Sequence, residues 1–391
     1  MKKWIAWLLM LMMTLSGTAW AEETPVALEE PLSPYIEDTG LELMGSSVRA
    51  PQVRGLGDEA LEALVNEQIM TIGGFQGYFD RMALLISEPV SLTVTYDAQL
   101  LDNVFLCVAQ ASGAVTNNRP SHAWTAVNID LIDGHAITWD ELFAQPAEAT
   151  EAIETYLYDV VAPELSAHLS SSILTPLPDT FGLSPYGVTL LYPIDQLSTL
   201  ADRAGAITIL WSEIQDHLNL AEGSLLDRIG AKANLSFPEN AKEALTEALA
   251  DGSIPGVPAA IGQSMQELTD TYGTLIDPDL YEGGRLFLLD DSTFRQIYLL
   301  TDALTDRWDT SVVQGLRADR LNLLGLRTGV TTRDDYITSL GEPESTLAVD
   351  AERADSWRIV PGTSDYYTLG AYRLRLHVDE NGVLRSVFIT P

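Results

Sequence analysis

Apolar positions change their spacing several times along the chain, and each change marks an element. From Leu56 to Ile69 (LGDEALEALVNEQI) they recur every three or four residues, which predicts an amphipathic helix. The stretch VSLTVTYDAQLLDNVFLCVAQASG alternates in twos, predicting two antiparallel strands that turn around Asp97-Ala98. A longer helix is predicted near residues 147–169, with Ile153, Leu157, Val160, Val161 and Leu165 on one face. GVTLLY and AITILW return to strand composition, and the second leads into SEIQDHL. There Ser212 and Gln215 have the spacing of a capping box that starts a short helix. Residues 41–220 are therefore expected to form an α+β domain, an antiparallel sheet with packed helices.

The pattern loosens over residues 221–260, helical at PENAKEALTEALADG and loose at GSIPGVPAA, which predicts a helical linker. Residues 261–391 carry an internal repeat. IGQSMQELTDTYG (261–273) lies over GVTTRDDYITSLG (329–341), each with a capping pair, Ser264 with Glu267 and Thr332 with Asp335. Each copy ends at a glycine suited to a C-cap, Gly273 and Gly341. Downstream, RLFLLDDSTFRQIYLL lies over RLRLHVDENGVLRSVFI, two strands around an acidic turn. The expected architecture is α+β in two lobes, the second a tandem of helix-plus-hairpin units.

Ahead of these elements, Lys2 and Lys3 precede an apolar run from Trp4 to Leu15, and Ala19-Trp20-Ala21 is a small-x-small triplet. This is the pattern of a cleavable signal peptide over residues 1–21, and no cysteine follows that would carry a lipid anchor. Cleavage is expected after Ala21, with an extracellular or cell-envelope location. Residues 22–40, rich in Glu and Pro, are expected to be a flexible tether. No later stretch has the roughly 18 apolar residues of a membrane helix, so the mature chain is expected to span no membrane.

The net charge of −34, from 22 basic and 56 acidic residues, argues against a nucleic-acid partner, since phosphates would go unneutralised. It suits a cationic protein partner instead. The single cysteine, Cys107, stands in an apolar strand pattern and is expected to be a buried core residue.

AVNIDLIDGHAITWDELF (126–143) gathers Asp130, Asp133, His135, Asp140 and Glu141 around Gly134. A calcium loop with Gly134 at its sixth position would put Ile129 and Leu131 at ligand positions, which their side chains forbid. Asp133-Gly134 is expected to be a turn, and Thr138 with Glu141 a capping box for the helix WDELF. The histidines 122, 135, 168, 217 and 377 show no zinc-helix spacing, and GLSPYG (182–187) is one residue too long for a nucleophile elbow. No catalytic, cofactor or metal residues are assigned, and no cofactor is expected. Trp124, Tyr186, Tyr192 and Trp211 fall at or beside strand ends, where aromatic faces stack on sugar or grip a protein. Core packing is the competing role for all four.

The run AVNIDLIDGHAITWDELF, the amphipathic helix and FGLSPYGVTLLYPIDQLSTLADRAGAITILWSEIQDHL together resemble the extracytoplasmic domain of RsiV and of PdaC-type peptidoglycan deacetylases. Asp130, Gly134, Leu142, Phe143, Phe181, Gly187, Tyr192, Gly205, Ser212, Ile214 and Leu218 carry the likeness, over about residues 41–220. The deacetylase catalytic domain and a cytoplasmic sigma-binding segment have no counterpart, and Val115 stands where the family often has histidine. Residues 261–391 resemble, more weakly, tandem β-lactamase-inhibitor-like repeats. The resemblance implies a secreted, non-enzymatic envelope binding module for cell-wall glycan or a cationic protein such as lysozyme. The alternative is a carboxylate-dependent enzyme acting on cell-wall glycan.

Overall fold

The computed structural model describes residues 33–391 apart from 85–90, 117–118, 163–173, 195, 197–204, 273–275, 282–283, 290–295 and 303–309. The expected signal peptide, most of the tether, Leu165 and Gly273 lie outside the described residues. Residues 34–391 form one compact α+β unit.

A five-stranded sheet comes first, in the order β1 (Tyr35–Leu43), β2 (Ser46–Arg54), β3 (Leu92–Leu101), β4 (Val104–Thr116), β5 (Arg119–Asp130). Residues 35–40, expected in the tether, are the start of an edge strand, held in antiparallel register from Tyr35↔Arg54 to Leu43↔Ser46. Pairing with β2 and the packing of Ile36 and Leu43 against the core outweigh the polar composition. β2 and β3 are parallel, so the chain must cross over between them. Helices α1 (Glu59–Thr71) and α2 (Phe75–Leu84) make that crossing. Asp58 caps α1 by accepting from the amides of Ala60 and Leu61, and Val65 and Ile69 are its buried stripe. The β3–β4 hairpin turns at Asp102-Asn103, both at positive φ, rather than at Asp97-Ala98. Two consecutive left-handed residues match the twist of a two-residue hairpin, and Asn and Asp tolerate that conformation. Cys107 is buried in β4, where burial pushes its thiol up to about 12.

Against this sheet lies a three-stranded one, β6 (Phe181–Leu183), β7 (Gly187–Tyr192), β8 (Gly205–Leu210). Buried Asn128 of β5 joins the two, donating to the Phe181 carbonyl at 2.8 Å and accepting from the Leu183 amide at 3.3 Å. The approach is close enough that a Cβ on Gly182 would stand 2.5 Å from Val108. Helix α3 (Pro146–Tyr156) ends in a π-turn over Leu157–Val161. Ile153, Leu157 and Val161 are buried as expected, but Val160 is exposed. The longer repeat of the π-turn puts Val160 out of phase with the stripe.

The segment marked as a linker carries α4 (Leu225–Arg228), α5 (Ala231–Asn234) and α6 (Ala241–Ala248). It is packed along its length. Leu225, Leu226, Ile229 and Leu235 belong to the core under the small sheet, and Leu245, Leu249 and Ile254 to the core that follows.

That core lies on one face of an eight-stranded sheet. Its strands are β9 (Ile276–Tyr281), β10 (Gly284–Leu289), β11 (Ile297–Thr301), β12 (Gly315–Ala318), β15 (Ser345–Val349), β16 (Gly362–Leu369), β17 (Tyr372–Asp379) and β18 (Leu384–Thr390). The order is 15-16-17-18-12-11-10-9. A small hairpin, β13 (Asn322–Leu323) and β14 (Leu326–Arg327), stands outside it. Helices α7 (Met265–Tyr272) and α8 (Arg333–Leu340) start at Ser264 and Thr332, the two caps the repeat predicts. The hairpins β10–β11 and β17–β18 are the predicted pairs, joined through β12 into one continuous sheet. Helix α9 (Ala351–Trp357) has no counterpart among the described residues of the first repeat and leads Trp357 and Ile359 onto the other face, against Leu286, Leu300 and Phe388.

Candidate functional site

The acidic turn around Gly134 is a structural joint. Gly134 has φ +79°, its amide donates to the Asp130 carbonyl, and Ile129 pairs with Ala136 across the turn. Asp130 is largely buried and takes a bidentate pair from Arg228 of α4, while one of its oxygens accepts from the Ile132 amide. Burial raises its pKa, but these bonds outweigh burial and hold it below the usual carboxylate range. Glu141 accepts from the amide and hydroxyl of Thr138, as the capping spacing predicts, though the helix it starts is a single 3₁₀ turn. His135 sits between Asp133 (2.5 Å) and Glu141 (2.9 Å), and those bonds push its imidazole up to about 9. Among the described residues no group of three or more His, Cys, Asp or Glu is arranged to hold a metal ion.

The four aromatic residues do not form a common surface. Trp211 is fully buried and its indole N–H donates to the Ser184 carbonyl at 2.9 Å. Tyr192 is buried and its hydroxyl donates to the Leu174 carbonyl at 3.0 Å. Neither ring can stack on a ligand, which corrects the expectation for that pair. Tyr186 is half-buried against the C-terminal core, close enough that a Cβ on Gly256 would stand 2.6 Å from its ring. Trp124 is half-buried on β5 beside Leu191 and Ala206.

A cleft of about 670 Å³ opens instead where the two halves meet. Its floor is set by β12 and the residues after it. Arg320, with a side chain 8% exposed, reaches Glu213 at 2.6 and 2.9 Å, the Thr208 carbonyl at 2.9 Å and the Tyr156 hydroxyl at 3.3 Å. Burial works against the Arg320 charge, but Glu213 outweighs it and raises the pKa. Glu213 also accepts from the Leu210 amide at 2.8 Å, so it, not the Ser212–Gln215 pair, caps the turn Trp211–Glu213. Gln215 is drawn to Arg327 of the other half at 2.5 Å. Arg317, buried, is held by both oxygens of Asp319 and by the carbonyls of Trp357 and Arg358.

The rim is different in character. Arg385, 46% exposed, pairs with Asp379, and exposed Arg358 stands at the end of α9. Arg358 and Gln296, both lining the cleft, have φ +51°, a conformation costing a non-glycine residue on the order of 1 kcal/mol or more. Val330 and Val360 are exposed beside them, with Ile359 half-buried. Ser212, only 7% exposed, lines the cleft, and its hydroxyl has no hydrogen-bond partner. A buried hydroxyl in that state costs roughly 1–3 kcal/mol.

Behind the cleft the same sheet face stacks guanidinium groups on rings. Arg317 lies 4.4 Å from the Tyr298 ring, Arg375 lies 4.2 Å from Trp357 and 4.4 Å from Phe388, and Arg373 lies 4.3 Å from Tyr366. Buried His377 joins this layer, its Nδ1 3.0 Å from the Ser364 hydroxyl and its Nε2 2.8 Å from the Val360 carbonyl. Burial, opposed by that carbonyl, lowers its pKa and keeps the ring neutral.

Among the solved structures similar to the chain are three bacterial proteins. One is a member of the DUF3298 family from Bacteroides fragilis NCTC 9343, at 13% identity and TM-score 0.36, covering 51% of this chain and 97% of that one. A DUF3298 family protein from Pseudomonas aeruginosa PAO1 matches at 12% identity and TM-score 0.31, covering 49% and 96%. The DUF4309 family protein YjgB from Bacillus subtilis subsp. subtilis strain 168 matches at 15% identity and TM-score 0.27, covering 38% and 94%. No family model matches the chain, and no curated protein matches it.

Sequence reasoning passed over the cleft arginines. A signal was present: twelve of the eighteen arginines fall after residue 284, and some occupy alternation slots opposite core positions, as Arg317 does between Leu316 and Ala318. Alternation alone assigns such slots to solvent. Only the structure, in which α9 and the N-terminal half cover that sheet face, makes them line a cavity.

Proposed function

We propose that this protein is an exported cell-envelope binding protein, without catalytic activity, that receives cell-wall glycan in the cleft between its halves. The cleft carries the proposal. Its volume of about 670 Å³ lies within the range of ligand sites, and its walls combine cationic and apolar side chains of the C-terminal half with Tyr156, Val160, Ser212 and Glu213 of the N-terminal half. The N-terminal basic-apolar-small pattern supports export. The resemblance of residues 41–220 to the RsiV and PdaC-type extracytoplasmic domain supports an envelope role.

Two other readings fit the cleft less well. Its lining carries four guanidiniums against two carboxylates, so a cationic protein such as lysozyme would be held only on the acidic exterior. Both carboxylates, Glu213 and Asp319, are engaged by buried guanidiniums. Neither presents a free oxygen to a glycosidic or acetyl carbon, which disfavours the carboxylate-dependent enzyme.

The test incubates the chain lacking residues 1–21 with purified peptidoglycan sacculi. Cosedimentation without new reducing ends or released acetate is expected. Released products would promote the enzyme, and failure to cosediment would overturn glycan binding. Titrating lysozyme at low and high salt supplies the remaining arm. Affinity that survives 1 M salt, where screening acts within about 3 Å, would favour a cationic protein partner.

A further inference from the structure

We infer that the cleft recognises a carboxylate, with Arg358 and Arg385 at its rim as the anion-binding pair and Ser212 as a hydrogen-bonding group at its floor. This rests on the cleft being the ligand site and adds the chemical class of the ligand.

Charge is the first ground. The chain carries −34 overall, yet the cleft lining holds Arg317, Arg320, Arg358 and Arg385 against Glu213 and Asp319. A cationic pocket in so acidic a molecule favours anionic ligands locally, while the net charge disfavours them over the molecule as a whole. The two buried arginines are saturated by carboxylates and carbonyls and act as fixed scaffolding. The two at the rim are exposed, and a ligand carboxylate would compete there with the partners they already hold. Arg385 meets Asp379 through Nε and one terminal nitrogen, and Arg358 is placed at the mouth by its left-handed backbone.

Ser212 is the second and independent ground. Its hydroxyl is buried, lines the cavity and has no partner, so a ligand oxygen reaching the floor would gain a hydrogen bond that the protein alone does not make. The third is the apolar wall of Val330, Ile359 and Val360 beside the rim arginines. Inorganic anions have no use for such a wall. An acid with a carbon body, such as a saccharide bearing a carboxylate, uses both parts. A guanidinium binds carboxylate in a two-point contact, which gives direction as well as charge.

The experiment uses the chain lacking residues 1–21 and three probes: N-acetylmuramic acid, its neutral counterpart N-acetylglucosamine, and inorganic phosphate. Affinities are read by calorimetry and location by amide chemical shifts. The acid sugar is expected to bind at least tenfold more tightly than the neutral sugar and than phosphate. Arg358→Gln and Arg385→Gln should each reduce that preference severalfold, with unchanged melting temperature as the folding control. Ser212→Ala should weaken the acid sugar while leaving the fold intact. Val330→Trp, which fills the mouth, should abolish binding. Equal binding of the two sugars, blocked by Val330→Trp, would overturn the carboxylate assignment and leave the cleft reading standing. Phosphate as tight as the acid sugar would also overturn it, in favour of a general anion site. Carboxylate-dependent binding that Val330→Trp does not touch would overturn both.

Discussion

Glu213 and Arg320 are 107 residues apart in sequence and meet side chain to side chain at 2.6 Å, one from each half of the molecule. The pair is shielded from water, so breaking it leaves a charge buried without its partner. Glu213→Ala is expected to destabilise the protein by about 3–5 kcal/mol, and Glu213→Gln by less. Urea unfolding measures both. Because Asn234 and Gln215 also bond across this junction, one cooperative transition is expected, with trypsin cutting slowly at Lys232 and Lys242. Early cleavage there into two stable fragments would mean that the halves are independent.

Asp365 binds α8 to β16. Its buried carboxylate accepts from Arg333 at 2.7 and 3.1 Å, from Tyr336 at 2.7 Å and from Thr346 at 2.6 Å. Burial raises its pKa, but the bonds from Arg333, Thr346 and Tyr336 outweigh burial and bring it below 3.8. A carboxyl depressed in the folded state contributes stability that is fully present above its unfolded pKa. That contribution is lost as pH falls through the folded value. Wild-type stability should therefore drop below about pH 4. Asp365→Asn should flatten that part of the profile while lowering stability at pH 7. An unchanged acid limb in the variant would show that other carboxylates control it.

Much of the framework follows from local pattern. The Asp58 cap, the stripe of Val65 and Ile69, the Gly134 turn and the paired caps at Ser264 and Thr332 all depend on contacts within a few residues. The hairpin displaced from Asp97-Ala98 to Asp102-Asn103 shows the limit. Alternation locates strands but does not say which polar pair closes them. The cleft was hidden for another reason: Glu213 meets Arg320 across 107 residues, and Arg317, though paired with nearby Asp319, is also held by the distant carbonyls of Trp357 and Arg358.

At the Gly134 turn, a Cβ would stand 2.8 Å from Leu61 of α1, and the backbone is left-handed. Gly134→Ala should cost more than ~1 kcal/mol. The neighbouring His135 is raised to about 9 by Asp133 and Glu141, so its stabilisation is full below its ordinary value of 6.5 and is lost as pH rises through about 9. Proton NMR of the imidazole checks this directly. A midpoint near 6.5 would mean that the flanking carboxylates do not hold the ring in solution.

Hydrogen–deuterium exchange of the chain lacking residues 1–21, with and without solubilised peptidoglycan, tests the central claim most directly. Ligand in the cleft should slow exchange in three stretches separated in sequence, around residues 156–160, 328–330 and 358–360, that all line that cavity. Protection confined to the five-stranded sheet, or none at all, would contradict the cleft as the binding site.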